Sequence, residues 1–414
     1  MSASFDQITP TTSRFLQSIA FCGGGRWGTI FFEELTKQIH PSTNLIWVTR
    51  DANKKKEEWR RKVTHENIEF IEGWHDRLTE CDGAIVATSV DRHYTLSRDF
   101  LSAAVPVLCE KPIATTRQHL DHLLCLSKTN NVPLGIHLEF TFLEAFDDFI
   151  QKAKPFKIDR IQAQWFDPEI EIRGDVVKQA ESQCDIISDQ LPHVWSLVSR
   201  INPKSTALQL DSLRYSTGLT ELTGKLGDAS LEIQLSRRQE KRRRFISLNS
   251  GAATFDFCIE PPTATVGKKE LSLKTTNTRP LQSTIRSFLS QLHAYKVVKS
   301  GILAYDAVLP VDTIYQSIDS NWMLAVENYY PFLVQCLEIS NRLKGIQDNI
   351  ISQMVGGWNQ GGTESPDLSE NEVQMVLDRW LPQGIASGAW YRPGSKENDH
   401  EMARQILTSL YKQS

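Results

Sequence analysis

Three glycines between a strand-like and a helix-like segment constrain the N-terminal fold of this 414-residue chain more than any other feature. Gly23, Gly25 and Gly28 lie in SIAFCGGGRWGTIFFEEL with the spacing G-x-G-x-x-G. The first glycine of such a turn permits a tight bend, the second lets a pyrophosphate approach the backbone, and the third lets helix and strand pack closely. The start of the helix, here Arg26 and Trp27, offers unpaired N–H groups to the phosphates. The turn therefore predicts a dinucleotide-binding site.

Short runs of β-branched residues alternate with amphipathic segments from about residue 15 to 140. This alternation is typical of a parallel sheet covered by helices, and it predicts a doubly wound α/β domain over residues 1–140. The predicted strands are Ser18–Cys22, Asn44–Val48, Ile68–Ile71, Gly83–Thr88, Val107–Cys109 and Leu134–Leu138.

Longer alternating segments follow and predict an α+β domain over residues 141–326 with an open, mainly antiparallel sheet. Residues 327–414 are predicted to form a helical C-terminal extension, with a break at the Gly-rich stretch 356–362 and a capping box at Ser369 and Glu372. The strands expected in the second domain are 158–166, 205–215, 229–235 and 245–255, and its helices are expected near 187–200 and 281–299.

Composition favours a small-molecule partner. The formal net charge of −4 provides no general attraction to nucleic acid. Seven cysteines without metal-ligand spacing predict buried, reduced thiols and no metal site. Because no signal peptide or membrane-spanning run is evident, we expect a cytoplasmic protein without a membrane partner.

The end of the second strand indicates which nicotinamide cofactor is bound. An NAD site usually carries an acidic residue there, whereas LIWVTRD presents Thr49 and Arg50 first and Asp51 one position later. A hydroxyl and a guanidinium suit a 2′-phosphate, and the lysines at 54–56 add positive charge. The pattern favours NADP(H) over NAD(H), although the basic residues could also be a solvated helix start.

Several further segments together resemble one family. The run Glu110, Lys111, Pro112 is similar to the Glu-Lys-Pro motif of the glucose-fructose oxidoreductase, inositol dehydrogenase and MocA-like family. The stretch 84–97 resembles its fourth strand and the following turn, including Thr88 and the customary His93. The stretches 188–198 and 280–292, and then a helix ending at residue 320, resemble its D-x-x-x-H helix and its C-terminal helices. The resemblance covers roughly residues 15–326.

The resemblance implies three catalytic residues, which are Lys111, His193 and Asp189. Moving a hydride between nicotinamide and a C–O or C–N carbon requires a proton to move on the heteroatom. Lys111 or His193 is expected to exchange that proton, with Asp189 orienting one of them. The family also implies a cis Lys111–Pro112 bond, and Pro192 is expected in the first turn of its helix. Residues implied to contact the cofactor are Gly23, Gly25, Arg26, Trp27, Gly28, Thr49, Arg50, Thr88, His93, Glu110 and Lys111.

The function expected is therefore an NADP(H)-dependent oxidoreductase acting on a small-molecule C=O or C=N carbon, and a reductase that tailors a biosynthetic intermediate is one form of it. The departures from the family around residues 180–196 leave a sugar or cyclitol substrate unassured. A rival hypothesis is a non-catalytic NADP-binding regulator, which need not keep Lys111, Asp189 and His193. By analogy with the family we expect a homo-oligomer, a dimer or a tetramer. The basic run at 237–244 is expected to form a solvated hairpin.

Overall fold

The computed structural model describes residues 16–60, 65–73, 75–173, 176–179, 184–203, 208–274, 279–299, 324–361, 368–386 and 396–411. The chain divides into two compact units. The first unit comprises Met1–Phe142 and Asn277–Tyr330, and the second comprises Leu143–Thr276 and Pro331–Ser414.

The first unit is built on a six-stranded parallel sheet in the order β3-β2-β1-β4-β5-β6. This order reverses between β1 and β4, where α/β sheets of this kind bind ligands. Its strands are β1 (Ser18–Cys22), β2 (Asn44–Val48), β3 (Ile68–Ile71), β4 (Gly83–Val86), β5 (Val107–Glu110) and β6 (Leu134–His137). Its helices are α1 (Arg26–Thr36), α2 (Ala52–Arg60), α3 (Val90–Ser102), α4 (Arg117–Thr129) and α7 (Pro280–Lys299).

An aromatic cluster fixes the helices around β1 and β2. Phe21 and Trp47 lie on the two neighbouring strands, and Phe32 of α1 stacks on Trp47 with a ring-centroid distance of 3.9 Å. Phe288 of α7 is fully buried in the same cluster. Burial of a Phe or Trp side chain contributes about 1.5–3 kcal/mol or more, so this packing holds α1 firmly at the carboxyl end of β1.

The second unit contains an eight-stranded sheet in the order β10-β11-β12-β7-β13-β14-β15-β16. Every neighbouring pair is antiparallel except β7 with β12, which confirms the predicted open, mainly antiparallel sheet. The strands are β7 (Arg160–Phe166), β10 (Gln209–Ser216), β11 (Leu219–Leu226), β12 (Ala229–Ser236), β13 (Arg243–Ser250), β14 (Ala253–Ile259), β15 (Pro262–Val266) and β16 (Lys269–Leu271). A separate hairpin pairs β8 (Ile170–Arg173) with β9 (Val176–Gln179).

One predicted strand and one predicted helix break in the second unit are wrong. The expected single strand 245–255 is a hairpin, because the chain reverses between Ser250 and Ala253 and β13 pairs with β14. The expected break at 356–362 is also absent as far as Gly361, because one helix, α8 (Val326–Gly361), continues through the glycines.

The other helices of this unit are α5 (Glu144–Ala153), α6 (Ile186–Ile201), α9 (Glu370–Ala386) and α10 (Lys396–Tyr411). The predicted capping box before α9 is confirmed, since Ser369 N–H donates to Glu372 Oε2 at 2.8 Å and Glu372 N–H donates to Ser369 Oγ at 3.4 Å. Val376 and Leu377 of α9 pack with Ile406 of α10 in one apolar cluster. Among the described residues, the helices include none that is long and apolar enough to cross a membrane.

Candidate active site

The glycine turn joins β1 to α1, and backbone atoms pack closely against two of its glycines. Gly23 has φ +147°, and its N–H donates to Val48 O of β2 at 3.0 Å. A Cβ at this position would lie 2.2 Å from Ala87 O, and one at Gly28 would lie 2.9 Å from Gly23 O. Only glycine tolerates this conformation and these contacts, so the turn can bring the start of α1 against the ends of β1 and β4.

The middle of the turn is open. A Cβ added to Gly25 would meet no atom within 4 Å, and Gly25, Arg26 and Trp27 are exposed. In the part of the chain that the structure describes, no side chain caps α1, and its first turn contains no acidic residue. The free N–H groups and the positive end of the helix dipole therefore face space suited to an anion. These residues fit a pyrophosphate.

Lys55 stands beside this turn. Its Nζ lies 3.3 Å from Thr29 Oγ1 of α1, 2.9 Å from Glu58 Oε2 and 5.6 Å from the ring centre of Trp47. These contacts leave its side chain 13% exposed, so the ammonium is held in place. Arg50, at the end of β2, is exposed.

Asp51, which follows Arg50, forms a hydrogen bond with a backbone N–H of α2. Asp51 Oδ1 accepts the N–H of Lys54 at 2.9 Å and thereby caps the start of α2. Thr49 is half-buried beside the glycine turn, since a Cβ at Gly24 would lie 2.2 Å from its Oγ1.

Lys111 follows directly after β5, at the carboxyl edge of the same sheet. It is half-buried, and the Lys111–Pro112 bond is cis, as the family resemblance implies. His93 lies behind this bond and is 1% exposed, with Nδ1 2.9 Å from Pro112 O and Nε2 3.2 Å from Thr88 O. Burial lowers the pKa of His93, which favours the neutral imidazole. His93 thus connects the turn after β4 to the Lys-Pro turn through backbone oxygens.

Glu110 is the centre of a cluster that sequence reasoning did not connect. Its Oε1 accepts the indole N–H of Trp27 at 2.5 Å and lies 2.5 Å from His137 Nδ1, while its Oε2 accepts the backbone N–H of Lys111 at 3.1 Å. Glu110 and His137 are buried, with 8% and 2% exposure. His137 thus lies against Glu110 in the interior of the first unit.

The charges of this pair support each other. Burial alone would raise the pKa of Glu110, but the charge and hydrogen bond of His137, with the hydrogen bond from Trp27, hold it at about 2. Burial alone would lower the pKa of His137, but Glu110 outweighs that effect and raises it. Each partner thus favours the charged form of the other, a carboxylate for Glu110 and an imidazolium for His137.

Asp189 and His193 lie on α6 in the second unit. The helix begins at Ile186 and continues through Pro192, so the expectation that Pro192 lies in the first turn is wrong. Asp189 occupies the first turn and His193 the second. The helix begins earlier than expected because Asp185 caps it, with Oδ1 accepting the N–H groups of Ile187 and Ser188.

Arg237 is the residue that holds Asp189. Its Nη2 donates to Asp189 Oδ2 at 3.1 Å and its Nε to the same oxygen at 3.3 Å. The same guanidinium donates to the carbonyl oxygens of Cys184 and Asp185, just before α6. Arg237 therefore fixes both the carboxylate and the start of its helix.

His193 belongs to a stack of three side chains. Its imidazole lies parallel to the indole of Trp165, with centroids 5.1 Å apart and an angle of 8°. The guanidinium carbon of Arg244 lies 4.2 Å from the Trp165 ring. Because Trp165 is buried on β7, this stack fixes the plane of the imidazole.

The expectation of a solvated hairpin at 237–244 is wrong. Arg242 and Arg244 both pair with Asp167 and Glu260, at distances of 3.0–3.3 Å, and their side chains are only 14% and 10% exposed. The neutralising carboxylates come from distant parts of the sequence, so local charge counting could not reveal them. The sequence signal that was available is the dense run of arginines, because arginine is preferred over lysine in partly buried pairs.

The structure thus brings the predicted cofactor residues and Lys111 to the carboxyl edge of one sheet in the first unit, and Asp189 and His193 to one helix in the second. Arg237, Trp165, Arg244 and His137 are the positioning residues that the sequence did not single out. The described residues contain no group of three or more His, Cys, Asp or Glu side chains arranged to hold a metal ion. Five of the seven cysteines are buried as expected, but Cys125 is exposed and Cys258 is half-buried.

Comparison with known proteins identifies the N-terminal domain. Residues 17–137 match the model of the oxidoreductase family with an NAD-binding Rossmann fold, the glucose-fructose oxidoreductase, inositol dehydrogenase and MocA-like family. Over these residues the match confirms the resemblance seen in the sequence. The myo-inositol dehydrogenase Hyg17 from Streptomyces leeuwenhoekii is 30% identical over 82 residues, which are 20% of this chain and 25% of that protein. The match spans about a quarter of that relative's length.

Solved structures share the fold at low identity. Gal80p from Saccharomyces cerevisiae, solved as a super-repressor mutant, has a TM-score of 0.61 at 10% identity, covering 79% of this chain and 95% of that chain. An inositol dehydrogenase homologue from Azotobacter vinelandii, complexed with NADH and myo-inositol, has a TM-score of 0.58 at 13% identity, covering 80% and 97%. These likenesses show the fold alone.

Proposed function

We propose that this protein is an NADP(H)-dependent oxidoreductase that transfers a hydride between nicotinamide and a small-molecule C=O or C=N carbon. The observation that carries the proposal is the open, uncapped glycine turn at the carboxyl end of β1, with Lys111 at the carboxyl end of β5 in the same sheet. A dinucleotide bound at the strand reversal would extend along this edge. The family match over residues 17–137 supports the same class of cofactor.

NADP(H) is proposed over NAD(H) because of the charges beside the turn. Arg50 is exposed at the end of β2, Lys55 is held against α1, and Asp51 caps α2. A 2′-phosphate would be attracted by the two cations.

Each chain residue has a defined task in the proposed mechanism. A bound nicotinamide would supply or accept the hydride. The N–H groups of Arg26 and Trp27 hold the pyrophosphate, and Thr88 borders the turn after β4. Lys111 donates a proton to the substrate heteroatom during reduction and accepts one during oxidation. His193 is the second candidate for this proton exchange, and Asp189, fixed by Arg237, keeps a negative charge on the same helix.

The test of the proposal is turnover by the Lys111→Met variant. Purified protein is mixed with NADPH and a panel of ketones, aldehydes and imines, and cofactor oxidation is followed by absorbance. We expect turnover by the wild type, a loss of at least about 100-fold for Lys111→Met, and an almost unchanged Kd for NADPH in both proteins. Lys128→Met is the matched control. Lys128 lies on α4 and forms an exposed pair with Glu327, so this variant should keep full activity.

The same experiment addresses the rival hypothesis. If wild type and Lys111→Met both bind NADPH and neither turns over any substrate, the regulator hypothesis replaces the enzyme. Absence of NADPH and NADP⁺ binding to the wild type would contradict both. A sugar or cyclitol as substrate would be indicated by NADP⁺ reduction with myo-inositol or aldoses.

The preference for NADP(H) has its own test. Arg50→Ala and Lys55→Met should weaken NADP⁺ binding by about tenfold or more while leaving NAD⁺ binding nearly unchanged. Arg60→Ala is the matched control, because Arg60 lies at the far end of α2 in an exposed pair with Glu57. Equal effects on both cofactors would contradict the preference.

The proposal also covers the cellular location, the oligomeric state and the partners of the protein. We expect a cytoplasmic protein, since the seven cysteines are free thiols. We also expect a homo-oligomer, a dimer or a tetramer, with a small-molecule substrate and neither a nucleic acid nor a membrane partner. Light scattering coupled to size exclusion measures the oligomeric state.

A further inference from the structure

Trp27 is a large aromatic side chain that is exposed in the glycine turn. Four large apolar side chains are exposed among the described residues, and Trp27, at 37%, is the one in the glycine turn. It lies between the second and third glycines, at the second position of α1.

The exposed indole is held in place by its edge. Its N–H donates to Glu110 Oε1 at 2.5 Å, and its ring centre lies 6.1 Å from that of His137 and 6.4 Å from that of Phe31. Glu110 is itself fixed by His137 and by the N–H of Lys111. The ring therefore keeps one orientation while part of its surface remains open.

The strand order indicates which part of a dinucleotide would meet this ring. Thr49 and Arg50 end β2, on one side of β1, and such positions contact the adenosine ribose in folds of this class. Glu110 and His137 end β5 and β6, on the other side of the reversal point. The indole extends from the glycine turn toward those two residues, so it lies on the nicotinamide half of the cofactor crevice.

We propose that Trp27 is an aromatic platform on which the nicotinamide ring stacks, with Glu110 setting the plane of the indole. This inference rests on the proposed function, because it requires a nicotinamide cofactor in the turn. The oxidised ring is cationic and the reduced ring is neutral. An indole face attracts a cation, so the platform favours NADP⁺ over NADPH. It also covers one face of the ring and leaves hydride transfer to the other.

Two variants separate the parts of this platform. Trp27→Leu removes the aromatic face but keeps an apolar side chain, and Trp27→Phe keeps an aromatic face but loses the N–H to Glu110. Kd values for NADP⁺ and NADPH are measured separately by calorimetry. We expect Trp27→Leu to weaken NADP⁺ binding by about five- to tenfold and NADPH binding by less than about threefold, with Trp27→Phe in between.

A spectroscopic reading supports the contact directly. Stacking of an indole on an oxidised nicotinamide gives a weak charge-transfer absorption, which we expect when NADP⁺ is added to the wild type and not to Trp27→Leu. Trp380→Phe, on α9 in the second unit, is the matched control for the loss of one of the ten tryptophans, and it should keep both the band and the Kd values.

The outcomes are distinguishable. Equal weakening of NADP⁺ and NADPH by Trp27→Leu, or no weakening of either in a protein that keeps the wild-type circular dichroism, would overturn the platform while leaving the proposed function intact. A wild type that binds neither NADP⁺ nor NADPH would remove the proposed function and this inference together.

Discussion

His137 Nδ1 lies 2.5 Å from Glu110 Oε1, and the two residues are direct partners in the parallel pairing of β6 with β5. Adjacent parallel strands end at the same edge of a sheet, so their last residues meet although they are 27 positions apart. The ion pair thus lies directly before Lys111, whose backbone N–H bonds the same carboxylate.

Replacing His137 should change both the stability and its pH dependence. The raised pKa of His137 means that the folded state binds this proton more tightly than the unfolded state, where the value is about 6.5. The stabilisation is fully present below about pH 6.5 and is lost as the pH rises through the folded value. His137→Gln should lower the free energy of unfolding by about 3–5 kcal/mol near neutral pH and remove that alkaline loss.

Urea unfolding at a series of pH values measures this effect. His65→Gln is the matched control, because His65 is also buried in the first unit but contacts the backbone oxygen of Thr43, at 2.9 Å, and its loss should cost only about 1 kcal/mol. The double variant Glu110→Gln, His137→Gln should be more stable than His137→Gln alone, since no buried charge is left unpaired. A variant whose stability falls with alkaline pH as steeply as the wild type would show that the pair is not the cause.

Substitutions of two glycines in the turn should have different effects: Gly23→Ala should lower stability, and Gly25→Ala should lower cofactor affinity. Gly23→Ala places a methyl group 2.2 Å from a backbone oxygen at a positive φ, and it should destabilise the fold by about 3 kcal/mol. Gly25→Ala meets no atom within 4 Å, so its melting temperature should stay near that of the wild type. Its methyl group enters the space a pyrophosphate needs, and NADPH affinity should fall by about tenfold or more. Wild-type affinity in Gly25→Ala would contradict the assigned phosphate position.

The first unit could be predicted from sequence because its signals are local. β1, β2 and β3 match the predicted strands at both ends, and the other three strands end within two residues of prediction. Each is a short apolar run followed by a turn or a helix start, so nothing distant decides it. In the second unit the turn at Ser250–Ala253 was missed although Ser250-Gly251 is a turn signal, because the residues on both sides alternate regularly and suggest one continuous strand.

The Arg237–Asp189 pair should control the second part of the candidate site. Arg237→Met leaves a carboxylate on α6 without its guanidinium, and we expect a loss of about 2–3 kcal/mol because both side chains are largely buried, at 17% and 15% exposure. Arg237→Lys should restore only part of the lost stability, since an ammonium cannot reproduce the several N–H donors of a planar guanidinium. Thermal unfolding measures both. Arg243→Met, an exposed position in the same basic run, should have little effect, and an equal loss there would refute the specific role of Arg237.

The catalytic candidates themselves came from the motif pattern, whereas their supporting residues came only from the structure. Glu-Lys-Pro and D-x-x-x-H are short, local patterns that can be recognised in a single sequence. The supports of Asp189 and His193 come from distant parts of the chain: Trp165 lies on β7, Arg244 on β13, and Arg237 directly after β12. Sequence periodicity predicts such strands but not the partner of a side chain.

The cap of α6 should connect the C-terminal extension to the helix that bears His193. Asp185 Oδ1 accepts two N–H groups at the start of α6, and its Oδ2 accepts the hydroxyl of Ser340, from α8, at 2.8 Å. Asp185→Ala removes the cap and should cost about 1–2 kcal/mol, while Ser340→Ala removes one bond and should cost about 1 kcal/mol. Because both act through one carboxylate, the double variant should be scarcely less stable than Asp185→Ala alone. Urea unfolding of the four proteins tests this, and strictly additive losses would show that Ser340 stabilises the fold by another contact.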